Sequence, residues 1–194
     1  MILPIAIFLI WASSLFLFSK YKMHFFKFIF GAVGSFYFMM YIGQATLQQL
    51  LQYAVTYLSG ILGNLFNLYL SYPDYSMITV YFKSEAISFF VDYECSGIIE
   101  MLVFICLIIF YPIYSTKEKA KLVLVGTLYI FLANVIRVFA ICLILKVFGP
   151  KLLFFSHTIF GRLLFFYLMI IIYYQVFTRP HILRQKVGNL SNGK

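Results

Sequence analysis

Five long apolar stretches, separated by short clusters of basic residues, constrain this chain more than any other feature. They are Ile2–Phe18, Phe28–Ile42, Ser96–Tyr114, Leu122–Leu145 and Thr158–Phe177. A membrane-crossing helix needs about 20 predominantly apolar residues, and most of these stretches approach that length. Of the 194 residues, 63% are hydrophobic and 11% are charged, whereas soluble domains carry about 25% charged residues. The sequence therefore predicts an all-α polytopic membrane protein with a single domain over residues 1–194.

The stretch Gln44–Leu70 is ambiguous because polar residues interrupt its apolar pattern. Gln44, Gln48, Gln49 and Gln52 recur at helical spacing and form one polar stripe. This segment either crosses the membrane against other helices or lies in the interface as an amphipathic helix. We therefore expect five to six membrane helices.

Most of the positive charge lies beside the apolar stretches. The net charge is +9, and the Lys and Arg residues are concentrated in three clusters. The clusters are Lys20, Lys22 and Lys27; Lys117, Lys119 and Lys121; and Arg179, Arg184, Lys186 and Lys194. Such clusters mark cytoplasmic loops and contact anionic lipid headgroups, which argues against a nucleic-acid partner. If all three are cytoplasmic, Phe28–Ile42 crosses once and the glutamine segment is interfacial or re-entrant. Ser71–Glu94 and Lys146–Ser156 then face outward, in a multi-pass protein of the cell membrane.

Two short alternating stretches precede Cys95. Met77–Phe82 and Ile87–Tyr93 place apolar residues at every second position, and Lys83–Glu85 between them suits a turn. The pattern predicts a small extracytoplasmic β-hairpin that leads directly into Cys95.

Three polar residues stand out near the predicted outer membrane boundary: Cys95, Arg137 and His157. A thiol must lose its proton to attack a carbonyl, and a nearby imidazole or cation favours the thiolate. Cys95 and His157 are each predicted to begin a helix, where the N-terminus favours a thiolate and a neutral imidazole. Arg137 would stabilise the thiolate or an oxyanion. The trio suits acyl transfer, with a nucleophile, a base and an electrostatic stabiliser.

Each of these residues also has a structural interpretation. A lone cysteine or histidine at a helix end is more often structural than catalytic. An arginine within an apolar helix is costly, and an ion pair between Arg137 and Glu94 or Glu100 would explain it. Asn134 is expected to orient Arg137 from the same helix face. Arg162 is expected to pair with Glu94 or Glu100, with a substrate contact as the alternative.

Two non-enzymatic functions are alternatives. One is a transporter or channel subunit with a polar path lined by Arg137 and Glu100, and the other is a membrane scaffold. The chain contains no His-Glu-x-x-His, no phosphate loop and no cysteine pair at metal-ligand spacing. The sequence therefore predicts neither a cofactor nor a metal site.

Three short motifs, in a fixed order, give the chain a resemblance to a known family. The motifs are Glu94-Cys95-Ser96-Gly97, Asn134-x-x-Arg137 and Ser156-His157. In this order they resemble the exosortase/archaeosortase family of membrane cysteine transpeptidases, most clearly over Met77–Phe177. The short chain looks like the type-G exosortase subgroup of Gram-positive bacteria.

The resemblance implies an enzyme that cleaves exported proteins at a C-terminal sorting signal, composed of a motif, a transmembrane helix and a basic tail. Cys95 would be the nucleophile, His157 the base and Arg137 the stabiliser of thiolate or oxyanion. Supporting residues would be Asn134, Arg162, Glu94 and Gly97. The active site would face outward and pass the acyl group to an acceptor such as a glycan or another cell-surface group. The implied partners are exported proteins with a C-terminal membrane anchor and the lipid bilayer.

Overall fold

The computed structural model describes residues 2–83, 85–180 and 182. Its five α-helices are α1 (Ile2–Lys20), α2 (His24–Leu65), α3 (Ile98–Phe110), α4 (Thr116–Phe148) and α5 (Gly161–Tyr173). Its three strands are β1 (Tyr69–Tyr72), β2 (Met77–Phe82) and β3 (Glu85–Phe90). Two π-helical segments, Phe155–Phe160 and Tyr174–Thr178, flank α5, and short 3-10 turns cover Pro73–Tyr75 and Pro150–Leu152. The chain forms two compact units, one from residues 1–44 and 99–127 and one from residues 45–98 and 128–194.

Within the described residues, three helical segments are long and apolar enough to cross a membrane: His24–Ile42, Thr116–Phe148 and Phe155–Thr178. Two shorter apolar helices, Pro4–Lys20 and Ile98–Phe110, accompany them. The prediction of a polytopic, mainly α-helical membrane protein with a small β element is confirmed. Three residues of the third basic cluster, Arg184, Lys186 and Lys194, lie outside the described residues.

The predicted bounds of two membrane helices were wrong. The helix predicted at Ser96–Tyr114 covers only Ile98–Phe110, because Ser96 and Gly97 belong to a turn and Pro112 disfavours helix in the residue before it. The helix predicted at Leu122–Leu145 begins earlier, at Thr116. Glu118 Oε2 accepts hydrogen bonds from the Ser115 N–H at 2.7 Å and the Ser115 hydroxyl at 2.8 Å, so a cap stabilises the earlier start.

The glutamine segment is not separate from the preceding apolar stretch. The sequence suggested a helix end near Ile42, but α2 continues through Gly43 and Gln44 to Leu65. A single glycine costs a helix only about 1 kcal/mol, too little to end it here. The 42 residues of α2 are about twice what a crossing needs.

Aromatic packing holds together the unit formed by residues 1–44 and 99–127. The Trp11 indole N–H donates to the Phe30 carbonyl at 3.0 Å, and the Phe8 and Phe38 rings meet edge to face at 5.2 Å between centroids. A Cβ atom at Gly34 would overlap the Trp11 ring. Glycine at this position therefore lets α1 and α2 approach closely.

The second unit contains an antiparallel sheet of strand order β1-β2-β3. Phe82 pairs with Glu85, and Lys83 between them has a φ of 52°, so the predicted hairpin is confirmed. Its second strand was predicted at Ile87–Tyr93 but covers Glu85–Phe90, so Glu85 belongs to the strand and not to the turn. The sequence missed β1, whose Tyr69 pairs with Val80.

One face of the sheet is buried. Its side chains include Tyr69, Ile78, Val80, Ile87 and Phe89. They join one hydrophobic cluster with Val138, Ile141 and Leu145 of α4 and with Cys95. The sheet therefore anchors the chain segment that carries Cys95.

Candidate active site

Cys95 lies in a tight turn between β3 and α3. Its backbone N–H meets Oδ1 of Asp92 at 3.0 Å and the Asp92 carbonyl oxygen at 3.1 Å. The Ser96 N–H donates to the Tyr93 carbonyl at 3.3 Å. The sequence predicted that Cys95 begins the helix, but α3 begins at Ile98 because these bonds hold the preceding residues in turns. The effect of a helix terminus falls off within about one turn. The N-terminus of α3 therefore favours a thiolate on Cys95 less than the sequence predicted.

Ser96 and Gly97 each satisfy a local requirement of this turn. The buried Ser96 hydroxyl donates to the Tyr93 carbonyl at 2.8 Å and accepts from the Ile98 N–H at 3.3 Å. Gly97 has a φ of 76°, a left-handed conformation that glycine adopts without the penalty of a side chain. The Cys-Ser-Gly sequence thus supplies a thiol, a helix cap and the backbone conformation that joins them.

The Cys95 thiol is in hydrogen-bond contact with His157. The distance from Cys95 Sγ to His157 Nε2 is 3.2 Å. The sequence placed His157 at the beginning of the last helix, and it is the third residue of the helical segment Phe155–Thr178, in its π-helical part Phe155–Phe160. The Phe89 ring of β3 packs against the imidazole at a centroid distance of 5.8 Å and an angle of 67°. Ring packing from the sheet therefore helps to orient the imidazole toward the thiol.

Arg137 is buried in α4, with 5% of its surface exposed. Its Nη2 donates to the backbone carbonyl of Glu94 at 3.4 Å, and its Cζ lies 5.1 Å from the centroid of the buried Phe165 ring. This cation–π contact stabilises a guanidinium that is largely withdrawn from solvent. In the part of the chain that the structure describes, the Glu94 carboxylate pairs with Arg162 and not with Arg137.

Asn134 contacts the Cys95 turn directly. Its Nδ2 donates to the Cys95 carbonyl at 2.6 Å, while its Oδ1 is buried and has no hydrogen-bond partner in the described part of the chain. The sequence expected Asn134 to orient Arg137. The two side chains instead hold consecutive carbonyl groups of the turn, Asn134 that of Cys95 and Arg137 that of Glu94.

Arg162 forms an exposed ion pair with Glu94. Its Nη2 lies 2.7 Å from Glu94 Oε2, and both side chains are more than half exposed. This is one of the two pairings that the sequence suggested. Exposed ion pairs contribute about 0–1 kcal/mol, so the pair adds little stability and leaves Arg137 as the buried cation beside Cys95.

Burial and two opposite charges determine the protonation of Cys95. Burial is the main reason that the pKa of the thiol is raised to about 11. The Arg137 guanidinium lowers this pKa, and the Asp92 carboxylate raises it. Cys95 is therefore a neutral thiol at rest, and a base must remove its proton when it attacks. The sequence predicted that neighbouring groups lower the pKa of this thiol, and burial outweighs their effect.

The sequence did not predict that three further residues lie near the trio: Asp92, Phe89 and Phe165. Asp92 lies three residues before Cys95, which is the spacing of a side chain that bonds a backbone N–H in a turn, and this signal was available. The two phenylalanines are among 24 in the chain, so nothing in the sequence distinguishes them.

The helices and this site define a class: a polytopic membrane protein in which a buried cysteine contacts a half-buried histidine beside a buried arginine. The chain matches the model of the transmembrane exosortase family (Exosortase_EpsH) over residues 1–174. The protein belongs to this family. Neither the curated proteins nor the solved structures contain a significant match.

Proposed function

We propose that the protein is a membrane-embedded cysteine transpeptidase that cleaves the C-terminal sorting signal of exported proteins and transfers the acyl group to an acceptor. The contact of 3.2 Å between Cys95 Sγ and His157 Nε2 carries this proposal. Family membership supports it, because exosortases are generally cysteine transpeptidases. The short type-G subgroup of Gram-positive bacteria is the proposed subgroup.

The first half of the proposed reaction forms a thioester. His157 Nε2 accepts the proton from Cys95 Sγ as the sulfur attacks the carbonyl carbon of the sorting signal, and negative charge develops on the carbonyl oxygen. Arg137 is the nearby cation that stabilises this charge. When the tetrahedral intermediate collapses, the carbon–nitrogen bond breaks and the departing amine takes the proton from Nε2. The acyl group remains on Cys95.

The second half releases the acyl group. A hydroxyl or amine of the acceptor gives its proton to His157 Nε2 and attacks the thioester carbon. The carbon–sulfur bond then breaks, and Sγ recovers a proton from the imidazolium. Water in place of the acceptor would give hydrolysis, so the same residues serve a protease or a transpeptidase.

The roles are tested by Cys95→Ala, with Cys106→Ala and Cys142→Ala as matched variants of the other two buried cysteines. The reporter is a tagged exported protein from the source genome that ends in a motif, an apolar helix and a basic tail. We expect Cys95→Ala to abolish processing and the other two variants to retain it, as measured by immunoblot. Normal processing by membrane-inserted Cys95→Ala would contradict the proposal and favour the transporter alternative.

We also propose that the site faces the extracytoplasmic side, on the basis of the basic clusters beside the apolar segments. Asp74 is exposed and lies in the sheet-containing unit. A membrane-impermeant maleimide should label Asp74→Cys, in a Cys95→Ala background, on intact cells. Labelling only after the membrane is permeabilised would reverse the proposed orientation.

A further inference from the structure

Asp92 combines exposure to solvent with a hydrogen bond to the turn that carries Cys95. It is exposed to solvent, yet its Oδ1 is turned back to accept the Cys95 N–H at 3.0 Å. The next residues continue the turn, and Cys95 Sγ then reaches His157 Nε2 at 3.2 Å. One carboxylate oxygen thus helps to fix the backbone from which the thiol projects.

The charged groups around the thiol come from three elements. Arg137 of α4 and Asp92 of the turn act on Cys95 with opposite signs, and His157 of the π-helical segment contacts the sulfur. Asp92 also interacts electrostatically with His157. Glu94 is paired with Arg162, so their opposite charges largely cancel in their electrostatic effect on Cys95 and His157.

We propose that Asp92 is a positioning residue of this site: its Oδ1 holds the turn of Cys95, and its negative charge opposes that of Arg137 beside the two reacting groups. The hydrogen bond between Asp92 Oδ1 and the Cys95 N–H is sufficient support for the structural part of this role. The electrostatic part concerns the charges on Cys95 and His157 before and during the reaction.

The expected consequence for catalysis rests on the proposed function. A thiolate on Sγ is repelled by Asp92, whereas the imidazolium that forms when His157 accepts the proton is attracted to it. During attack the negative charge develops on the carbonyl oxygen of the substrate. Because Cys95 is a neutral thiol at rest, Asp92 lowers the barrier by stabilising the imidazolium that forms as the sulfur attacks.

The test compares two reactions of Cys95 in Asp92→Asn, which retains an oxygen acceptor for the turn and removes the charge. The first is alkylation by iodoacetamide, in which thiolate Sγ displaces iodide and the thiol proton passes to solvent. It is measured at Cys95 by peptide mass spectrometry between pH 7 and pH 10. We expect alkylation about three to ten times faster at a given pH. The reason is that removing one nearby negative charge, which water screens, lowers the pKa of a thiol by about one or less.

The second reaction is processing of the tagged exported protein, which should become slower in the same variant. Glu85→Gln is the control, because Glu85 is an exposed carboxylate of β3, the strand that precedes Asp92. It should leave the alkylation profile unchanged. High salt should reduce the difference between wild type and Asp92→Asn, because the charge is exposed.

An alkylation profile of Asp92→Asn that overlays wild type, or one that Glu85→Gln reproduces, would overturn the proposal. If Asp92→Asn does not fold, Asp92→Ser offers a hydroxyl acceptor without charge and should give the same acceleration. Alkylation needs no substrate, so this arm fails or succeeds independently of the proposed function. Loss of the proposed function would instead appear as normal processing by Cys95→Ala.

Discussion

The turn around Cys95 and the core around Cys142 are two regions of one compact unit with similar burial and different chemistry. Cys95 is 7% exposed and Cys142 is 0% exposed, and both belong to the same hydrophobic cluster. Cys142 lies in α4 near Val138, Ile141 and Leu145 of that cluster, where a thiol is a small apolar group. Beside Cys95 lie His157 of the π-helical segment, Arg137 of α4 and Asp92 of the turn. Burial therefore does not distinguish the two cysteines. The polar groups beside Cys95 do distinguish it from Cys142.

The largest expected effect on processing comes from removing His157, the histidine that Cys95 has beside it and Cys142 lacks. His157→Ala leaves Cys95 as a buried thiol without a proton acceptor, much like Cys142. Because general bases contribute about 10²–10⁴ to a rate, we expect processing to fall by at least about a hundredfold. The measurement is the rate of reporter cleavage in membranes.

His24→Ala is the matched control, because His24 is exposed at the beginning of α2. It should process the reporter at the wild-type rate. Wild-type processing by His157→Ala would show that the comparison of the two cysteines rests on the wrong residue.

A smaller effect is expected from Arg137→Gln. This variant removes the buried cation that lowers the pKa of Cys95, so that pKa should rise above about 11. Between pH 7 and pH 10 the thiolate fraction and the iodoacetamide reaction rate at Cys95 should both fall. Processing should drop by about 10²–10³, as for the loss of one electrostatic stabiliser of an oxyanion.

Arg162→Gln provides the matched loss of an exposed arginine. Its ion pair with Glu94 is solvent-exposed, so we expect a change of less than about threefold in both rates. Equal losses in the two arginine variants would mean that net positive charge, rather than the position of Arg137, sets the reactivity of Cys95.

Much of the fold followed from simple patterns in the sequence. Hydropathy indicated the membrane helices, and alternation at Met77–Phe82 indicated the hairpin. The continuation of α2 past Gln44 did not follow, because the sequence suggested a helix end at a glycine that costs a helix only about 1 kcal/mol. The pairing of β1 did not follow, because it depends on contacts outside the segment itself. The four residues Tyr69–Tyr72 become a strand only through their register with β2.

The site divides in the same way. Motifs identified Cys95, Arg137 and His157, because these residue types are unusual at the edges of apolar segments. The orientation of each side chain depends on tertiary neighbours: Phe89 against His157, and Phe165 against Arg137. The raised pKa of Cys95 likewise reflects burial by distant parts of the chain, which the residues around Cys95 do not encode.

The most direct test of the central claim is mass spectrometry of the Cys95 peptide after the enzyme has met its substrate. Membranes carrying the enzyme and the tagged reporter would be incubated without added acceptor, and the peptide analysed before and after hydroxylamine, which cleaves thioesters. We predict a hydroxylamine-sensitive acyl adduct on Cys95, with none on Cys106 or Cys142. Continued processing with no adduct on Cys95, or with an adduct on another residue, would contradict the account.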